Sequence, residues 1–434
     1  MNFTVTPSRV HDAIVTVPGD KSISHRALML GSIADGNTEV DGFLAGEDCL
    51  ATLTAMRSMG VEIEHPEPTR MSIAGVGLHG LQASKSPLDL GNSGTAMRLM
   101  AGLLCGQNFD SELVGDESLT GRPMGRIITP LTQMGARIES RSGNPPLTIR
   151  GRGPLKAIDY SLPMASAQVK SAILLAGLYA DGQSAVSEPA VTRDHTERML
   201  RSMGAKVESA GGKIRIAGGQ RLQSRALDVP ADLSSAAFVI LAAILAENAD
   251  IKIRNVGINP TRTGVLDILQ SMGADLTLEN PRSLGDEPVA DIRVRSSQLK
   301  GGSVDPSLVS LAIDEFPVLF VAAAAARGKT NFSGLGELRV KESDRISAMA
   351  QGMRTLGIEV DETPDGATIH GGRFCGGTVQ SHGDHRVAMS LAIVGTVATD
   401  EVTVEDIAAV DTSFPGFCPL MASIGADIQT SQAD

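Results

Sequence analysis

A short pattern, in which a glycine separates a helix-like run from a strand-like run, recurs six times along the 434-residue chain. Each copy places the glycine just past the end of the helix, where a left-handed residue is common, and continues with β-forming residues. The copies read RSMGVEIE at 57–64, TQMGARIE at 132–139, RSMGAKVE at 201–208, QSMGADLT at 270–277, RTLGIEVD at 354–361 and ASIGADIQ at 422–429. This recurrence predicts an internal structural repeat, and it limits the chain to folds built from repeated helix and strand units.

A second helix, longer and more apolar, precedes each copy, and small polar or charged residues that suit helix N-termini introduce it. Hairpin partners rich in β-forming residues follow five of the six glycines. The predicted unit is therefore helix, strand, helix, strand, strand. The sixth copy reaches Asp434 without its last strand, so we expect the N-terminal segment, around Phe3 to Val17, to complete it.

The length of the chain suits more than one domain, each with a full hydrophobic core. Six units divide most simply into three and three. We therefore predict an α/β fold of two domains, one over residues 20–232 and the other over residues 1–19 and 233–434.

The composition is that of a globular protein with few aromatic residues. Aromatic residues make up 3% of the chain and tryptophan is absent, so we expect a core of Ala, Leu, Ile, Val and Met. The net charge of −12 argues against nucleic acid or an anionic membrane as a partner, because both need an extended basic surface. Four cysteines without CxxC spacing, and no apolar run long enough to span a membrane, predict a cytoplasmic protein without a zinc site or a disulfide framework.

The segment from Lys21 to Arg26 joins a strand-like run to an apolar helix. A helix N-terminus presents unpaired N–H groups and a partial positive charge, so Lys21, Ser22 and Arg26 around it predict a phosphate or carboxylate site. Arg386 marks another such helix start, and the loop at 339–345 is also rich in cations. The sequence therefore predicts that several helix starts and cations converge to bind anions.

Three other signals point less clearly to a site. Residues 75–80 fit GxGxxG but follow a hairpin and precede no helix, which argues against dinucleotide binding. His382 and His385 have no third ligand at metal spacing, so we predict no metal site. His25 and His195 suit packing or hydrogen bonding better than catalysis.

Seven motifs, taken together and in order, resemble those of the enolpyruvyl transferase family over essentially the whole chain. They are KSISHR at 21–26, LDLGNSGTAMR at 88–98, TGRPM at 120–124, SAQVKSA at 166–172, IDEFP at 313–317, RVKESDR at 339–345 and DHRVAM at 384–389. The resemblance implies two domains, each of three βαβαββ units in an inside-out α/β barrel, with the active site in the cleft between them. It also implies transfer of the enolpyruvyl group of phosphoenolpyruvate to the 5-hydroxyl of shikimate 3-phosphate, without a cofactor.

The resemblance further implies roles for individual residues. Shikimate 3-phosphate would contact Lys21, Ser22, Arg26, Ser166, Gln168, Asp314 and Lys341. Phosphoenolpyruvate would contact Lys21, Gly94, Arg122, Gln168, Arg345 and Arg386. Asp314 would act as the base near the 5-hydroxyl, and Glu342 would act as the proton-transfer acid at the methylene, with Lys21 sharing that role. From the residues alone, both carboxylates would equally suit a helix cap or an ion pair.

Departures from the motifs of many enteric enzymes indicate the second bacterial class of the family. The stretch from Ile407 to Pro415 contains no lysine, Leu99 stands where proline is frequent, and His195 stands where that class has tyrosine. Glyphosate inhibits the family at the phosphoenolpyruvate site. Because Gly94 leaves more room there than the alanine of strongly tolerant members, we expect inhibition, and the family default implies a monomer.

Two alternatives stay open. A UDP-N-acetylglucosamine enolpyruvyl transferase would share the fold, but it usually carries a reactive cysteine just before the Arg-Pro loop, and residues 115–123 contain none. A non-catalytic anion-binding protein on a repeat scaffold would bind the same anions without turnover. It would leave the carboxylates of Asp314 and Glu342 without a purpose.

Overall fold

A computed structural model describes residues 1–151 and 153–432 of the chain. The chain forms two compact units. Unit A comprises residues 19–229 and 284–286, whereas unit B comprises residues 1–18, residues 230–283 and the chain from residue 287 onward. In the described residues, no helix combines the length and the apolar character needed to cross a membrane.

Unit A alternates helices with short strands. Its elements are α1 (Lys21–Ser32), β3 (Asp35–Asp41), α2 (Glu47–Ser58), β4 (Glu62–Glu67), β5 (Arg70–Val76), β6 (Leu88–Asp89), α3 (Gly94–Leu104), β7 (Ser111–Val114), α4 (Glu117–Thr120), α5 (Gly125–Gln133), β8 (Arg137–Arg141), β9 (Asn144–Arg150), β10 (Leu155–Lys156), β11 (Asp159–Ser161), α6 (Ala167–Gly177), β12 (Ala180–Asp181), β13 (Gln183–Ser187), α7 (His195–Ser202), β14 (Val207–Ala210), β15 (Lys213–Ala217) and β16 (Leu227–Asp228). The strands form the four-stranded sheets β16-β3-β5-β4, β6-β7-β9-β8 and β11-β13-β15-β14, and the small pair β10-β12. In each four-stranded sheet a parallel edge strand joins three antiparallel ones.

Unit B is built in the same way from both ends of the chain. Its elements are β1 (Asn2–Thr6), β2 (Ala13–Val15), α8 (Leu233–Leu245), β17 (Asp250–Gly257), α9 (Gly264–Ser271), β18 (Asp275–Leu284), β19 (Glu287–Arg295), α10 (Val309–Ala312), α11 (Phe316–Ala325), β20 (Lys329–Phe332), α12 (Arg345–Thr355), β21 (Val360–Thr363), β22 (Gly366–His370), β23 (Gly377–Gln380), α13 (His385–Gly395), β24 (Val402–Glu405), α14 (Phe417–Ser423) and β25 (Asp427–Ser431), with 3₁₀ turns at Pro306–Leu308, Gly336–Val340 and Ala408–Thr412. The strands form the sheets β18-β19-β17-β2, β20-β22-β21 and β23-β24-β1-β25.

The N-terminal segment divides between two sheets. Strand β1 lies antiparallel between β24 and β25, with Asn2 opposite both Glu405 and Ser431. The expectation that the N-terminus completes the last sheet of the chain is therefore confirmed for β1. It is wrong for β2, which pairs in parallel with β17, Ile14 opposite Lys252. The short linker after β1 redirects the chain to a different sheet of the same unit.

The six recurring glycines end their helices as predicted. They lie one residue beyond the C-caps of α2, α5, α7, α9, α12 and α14 and have φ between 86° and 99°. Only glycine adopts this left-handed conformation without steric cost. Each glycine therefore stops a helix and turns the chain into the next strand.

The longer helices lie in the interior of the two units. Helix α8 is buried from Leu233 to Ile244, and α11 is buried from Phe316 to Ala324. A helix that is apolar on all sides is stable only when packed on all sides, so these helices are surrounded by the sheets and the outer helices. The core holds small aliphatic side chains, as expected, but unit B adds phenylalanines, with Phe3, Phe238 and Phe414 all packed near Phe417.

Candidate active site

The segment of Lys21 forms the start of α1. Asp20, rather than Lys21 or Ser22, caps the helix, because its carboxylate accepts the amide N–H of Ile23 at 2.9 Å. Lys21 is the first helical residue, and its Nζ lies 2.5 Å from Oδ2 of Asp48 on α2. The predicted cation therefore stands at a helix N-terminus and has a nearly buried carboxylate beside it, an arrangement the sequence did not indicate.

Arg26 lies one turn further along α1 and is only 4% exposed. Its guanidinium donates to the hydroxyls of Thr196, at 2.7 Å, and Ser171, at 2.9 Å, and to the carbonyl of Ser22, at 2.9 Å. These bonds join α1 to α6 and α7. Arg26 therefore fixes the start of α1 against its neighbours within unit A, whatever else it binds.

His25 is fully buried beside these cations. Its Nδ1 lies 2.9 Å from Oγ1 of Thr52, and its Nε2 lies 3.3 Å from Oγ of Ser93. Burial, and the positive charges of Lys21 and Arg26, hold the pKa of His25 well below its usual value. The neutral ring links α1 to α2 and to the start of α3, in agreement with the hydrogen-bonding role that the sequence suggested.

The start of α3 brings Gly94 and Arg122 together. Ser93 caps this helix by accepting the amide N–H of Ala96 at 3.1 Å. A Cβ at Gly94 would lie 3.2 Å from Nη1 of Arg122 and 2.9 Å from Nη1 of Arg98. Two guanidinium groups therefore pack against a helix N-terminus that has no side chain of its own at its first residue.

Gln168 joins the same group from the start of α6. Its Oε1 accepts from Nη1 of Arg98 at 2.6 Å, and its Nε2 donates to Oγ1 of Thr95 at 2.9 Å. Ser166 caps α6 by accepting the amide N–H of Val169 at 3.4 Å. Sequence reasoning missed Arg98, although it lies in the LDLGNSGTAMR motif, because only the fold brings it to Gln168.

In unit B the predicted site residues converge on Asp314. Nζ of Lys341 lies 3.2 Å from Oδ1 of Asp314, and Nη1 of Arg345 lies 3.4 Å from the same oxygen. Arg386 donates from Nη1 to the Asp314 carbonyl oxygen at 3.1 Å. Glu342 completes the group, with its Oε2 2.5 Å from Nη2 of Arg345.

Arg345 lies at the centre of this group and is 1% exposed. Its Nε donates to Oδ2 of Asp384 at 2.7 Å. Burial alone would lower the pKa of Arg345, but the charges of Asp384, Glu342 and Asp314 outweigh it and raise the pKa. The guanidinium therefore stays charged and holds three carboxylates in place.

Asp384 is a residue of this group in unit B that the sequence did not indicate as a ligand. It is fully buried, caps α13 through the amide N–H of Arg386 at 2.9 Å, and also accepts from the hydroxyl of Ser343 at 3.2 Å. The sequence signal was its place at a predicted helix start. Its pairing with Arg345 joins residues 39 positions apart and needs the fold.

The GxGxxG match lies at the end of β5 and in the loop after it, and His382 and His385 lie just before and at the start of α13. After β5, residues 77–87 contain no helix, so the GxGxxG match has no strand-turn-helix context. In the described residues the one group with metal-like spacing is Glu359, Asp361 and His370, which does not include His382 or His385. Glu359 and Asp361 are largely exposed on the surface of unit B, and the ring nitrogens of His370 lie 3.4 Å from Oε2 of Glu359 and 2.9 Å from Oδ2 of Asp361.

The two residue sets supply complementary chemistry. In unit A, helix N-termini with lysine and arginine side chains can bind anions through charge-assisted hydrogen bonds. In unit B, cations surround carboxylates that keep some exposure, 14% for Asp314 and 22% for Glu342. The cations can orient an anion, and the partly exposed carboxylates beside them can exchange protons with a bound ligand.

Comparison with known proteins gives the same family by three routes. A family model described as EPSP synthase (3-phosphoshikimate 1-carboxyvinyltransferase) matches residues 5–421. Proteins named 3-phosphoshikimate 1-carboxyvinyltransferase from Alkalilimnicola ehrlichii and Methylococcus capsulatus are each 56% identical to this chain; the matches cover 100% and 99% of it and 98% of each relative. A solved structure of EPSP synthase from Acinetobacter baumannii matches with a TM-score of 0.89 and 52% identity, over 99% of this chain and 100% of that one. The mixed α/β fold described above is the fold of that structure.

Proposed function

The chain belongs to the EPSP synthase family, the 3-phosphoshikimate 1-carboxyvinyltransferases, and on that premise we propose how its residues divide the work of the reaction. The protein is an enzyme of the shikimate pathway to aromatic amino acids. It transfers the enolpyruvyl group of phosphoenolpyruvate to shikimate 3-phosphate. The alternative UDP-N-acetylglucosamine activity is not favoured by these matches.

For the architecture, we propose two domains, each built from three βαβαββ repeats in an inside-out α/β barrel. The proposal is supported by three main sheets in each unit, by the buried position of the longer helices, and by the six glycines with positive φ. The proposed domains are residues 20–232, and residues 1–19 with 233–434.

For shikimate 3-phosphate, we propose binding by charged and hydroxyl groups of both residue sets. The proposed ligands are Lys21, Ser22, Arg26, Ser166, Gln168, Asp314 and Lys341. The start of α1 suits the 3-phosphate, because backbone N–H groups there are backed by two cations. The carboxylate of Asp314 would accept the hydrogen bond of the 5-hydroxyl.

For phosphoenolpyruvate, the proposed ligands are Lys21, Gly94, Arg122, Gln168, Arg345 and Arg386. The contacts of Gly94 with Arg122, and of Gln168 with the start of α3, support this grouping for unit A. Arginine suits phosphate and carboxylate groups, since its planar guanidinium binds two oxygens at once. Holding two multiply charged anions together requires such charge-assisted bonds, because the anions repel each other.

The observation that carries the proposed chemistry is the grouping around Asp314. As the 5-hydroxyl oxygen attacks C2 of phosphoenolpyruvate, Asp314 takes the hydroxyl proton, and Glu342 delivers a proton to the C3 methylene, with Lys21 sharing that role. In the second step the methyl group returns a proton to Glu342, the C2–C3 double bond re-forms and the C2–O bond to phosphate breaks, and the proton held by Asp314 leaves with the phosphate. Both steps need positioned proton donors and acceptors, which the Lys341, Arg345 and Arg386 contacts hold in place.

We further propose that the protein is a cytoplasmic monomer.

We also propose that glyphosate inhibits the enzyme at the phosphoenolpyruvate site. The tight packing of Arg98 and Arg122 around Gly94 supports this proposal. Gly94→Ala should weaken glyphosate inhibition in a phosphate-release assay, because the added methyl group narrows that space. Unchanged inhibition of this variant would contradict the placement.

A phosphate-release assay with shikimate 3-phosphate and phosphoenolpyruvate tests the function and the assignment. Asp314→Asn should lower kcat by about 10²–10⁴-fold, the usual contribution of a general base. Lys21→Met should raise KM for phosphoenolpyruvate and lower kcat, whereas Asp267→Asn, an exposed change on α9, should match the unmodified enzyme. Full activity of both site variants would refute the roles, and no phosphate release by the unmodified enzyme would refute the function.

A further inference from the structure

A buried cluster of charged residues lies at the helix starts of unit B, behind the proposed phosphoenolpyruvate ligand Arg386. It consists of Asp232, Ser234, Arg262, Glu315 and Arg386, which we call the Glu315 cluster. Three of these side chains are almost inaccessible, at 7% exposure for Asp232, 4% for Arg262 and 1% for Glu315. Arg386, at 12%, is the most exposed of the charged members. The cluster therefore reaches solvent chiefly through the residue proposed to bind substrate.

Glu315 occupies an unusual position in this cluster. It stands directly before α11, at the cap position, yet its side chain does not cap the helix. Its Oε1 accepts a hydrogen bond from the hydroxyl of Ser234. Its Oε2 is buried and has no hydrogen-bond partner in the described part of the chain. Because the side chain does not cap the helix, capping does not explain the presence of Glu315. A buried carboxylate with an unsatisfied oxygen lowers stability, so the residue is unfavourable for the fold alone.

The charges in the cluster pair unequally. Nη2 of Arg262 lies 3.1 Å from Oδ1 of Asp232 and also donates to Oγ of Ser234 at 2.6 Å. Oε1 of Glu315 lies 3.6 Å from Arg262 and 3.6 Å from Nη1 of Arg386. Arg262 therefore has Asp232 as its nearer counter-charge, whereas the Glu315 carboxylate lies at the same distance from both guanidinium groups and acts on Arg386 as well.

The guanidinium of Arg386 is thus held from two sides. Its Nη1 donates to the carbonyl oxygen of Asp314 at 3.1 Å and lies 3.6 Å from the Glu315 carboxylate. An arginine side chain has many rotamers, and a fixed counter-charge behind it restricts them before an anion arrives. The same counter-charge reduces the attraction of Arg386 for an anion, so positioning and attraction oppose each other here.

We propose that Glu315 is a positioning residue for phosphoenolpyruvate binding: without touching the substrate, its buried carboxylate holds Arg386 beside the Asp314 carbonyl in the orientation that receives the anion. This inference rests on the proposed role of Arg386. It adds to the assigned ligands a residue whose effect passes entirely through another side chain.

The test uses Glu315→Gln, which keeps the size of the side chain and an acceptor for Ser234 but removes the charge. We expect KM for phosphoenolpyruvate to rise about tenfold, while KM for shikimate 3-phosphate stays within about twofold. Glu279→Gln is the matched control, since Glu279 also pairs with cations of unit B, Lys252 at 2.6 Å and Arg293 at 3.6 Å. The control should leave both KM values unchanged.

A double-mutant cycle separates positioning from general destabilisation. Arg386→Gln alone should raise KM for phosphoenolpyruvate, and adding Glu315→Gln should then change it by less than about twofold, because the group through which Glu315 acts is gone. If Glu315→Gln does not fold, Glu315→Asp replaces it; that variant keeps the charge but withdraws it by one methylene, and KM should rise about threefold.

Each outcome decides a separate point. The inference is overturned if Glu315→Gln leaves KM for phosphoenolpyruvate unchanged, raises both KM values equally, or multiplies the effect of Arg386→Gln. If Arg386→Gln itself has no effect, the assigned role of Arg386 fails together with the inference. Absence of phosphate release by the unmodified enzyme would instead refute the proposed function.

Discussion

Each unit contains a buried cation surrounded by carboxylates, but the two groups differ in how far the carboxylates reach solvent. In unit A, Nζ of Lys170 lies 3.1 Å from Glu188 and 2.8 Å from Glu197, and all three side chains are at most 5% exposed. In unit B, Arg345 is equally buried, yet two of its three carboxylate partners, Asp314 and Glu342, are 14% and 22% exposed.

The difference separates a structural group from one that can do chemistry. The unit A carboxylates are buried around Lys170, where a ligand does not reach them, so they affect only the stability of the fold. The unit B carboxylates are held by a buried guanidinium but remain accessible to a ligand. Burial of the cation is therefore a poor guide to function in this molecule, whereas the exposure of its partners is informative.

Removing Lys170, the buried cation of unit A, should have the largest effect on stability. Lys170→Met leaves Glu188 and Glu197 buried without a counter-charge, and breaking a buried ion group in this way costs about 3–5 kcal/mol. Urea unfolding of the variant measures the loss. The triple variant with Glu188→Gln and Glu197→Gln should recover most of it, and a loss below about 1 kcal/mol for Lys170→Met would contradict the comparison.

Removing Arg345, the buried cation of unit B, should lower the stability less and the activity more. In Arg345→Met only Asp384 is left buried without its counter-charge, because Asp314 and Glu342 can be hydrated, so we expect a loss near the lower end of the same range, about 3 kcal/mol. Phosphate release should nevertheless fall far more than in Lys170→Met, compared at equal folded fraction. A larger loss of stability than that of Lys170→Met would reverse the distinction between the two groups.

A third, smaller effect should appear in the pH dependence of unit A. In the unfolded chain His25 takes up a proton near pH 6.5, whereas the lowered pKa keeps it neutral in the folded protein. The unfolded state then binds more protons, so the contribution of His25 to stability is complete above pH 6.5 and falls by about 1.4 kcal/mol for each pH unit below it.

The variant His25→Gln should lack this dependence, because glutamine can bond Thr52 and Ser93 without titrating. Urea unfolding at pH 7.5, 6.5 and 5.5 should show the difference between variant and unmodified protein shrinking as the pH falls. His11→Gln, at an exposed histidine, is the control. Parallel pH curves for the unmodified and His25→Gln proteins would show that the pKa of His25 is the same in the folded and the unfolded chain, and would contradict its lowered value.

The smallest effect should come from reducing the number of buried carboxylates in unit A. Glu197→Gln leaves Lys170 paired with Glu188 alone, which turns a group with excess negative charge into a neutral pair. The lost charge-assisted bond and the relieved desolvation oppose each other, so stability should change by less than about 1 kcal/mol. Thermal unfolding of Glu197→Gln and Lys170→Met under the same conditions compares their losses of stability. Equal losses for the two variants would show that the lost bond and the relieved desolvation do not compensate.

Local signals in the sequence predicted much of the fold. Glycine past a helix end and an apolar helix after a polar start are properties of a few neighbouring residues, and both patterns reappear in the structure. Ser166 and Asp384 cap their helices, as their positions suggested. At the starts of α1 and α8, the side chains of Asp20 and Asp232 accept the amide hydrogen bonds.

The partners within the candidate site were less predictable. Lys21, Asp314 and Arg345 came from motifs, but their contacts with Asp48, Lys341 and Asp384 arise only when separate elements pack. The pairing of β2 with β17 was missed for the same reason, since its three residues, Ala13–Val15, carry no signal that selects one sheet over another. Residue types are local properties, whereas partners are set by tertiary structure.

The position of β1 has a consequence for how the polypeptide matures. This strand is synthesised well before its neighbours β24 and β25, which lie some 400 residues downstream, so their contacts have very high sequence separation. Residues 19–229, by contrast, are contiguous and can begin to fold during translation. Unit B must wait for its last strands, and during that interval its earliest strand has an unpaired edge, the kind of surface on which chaperones act and misassembly begins.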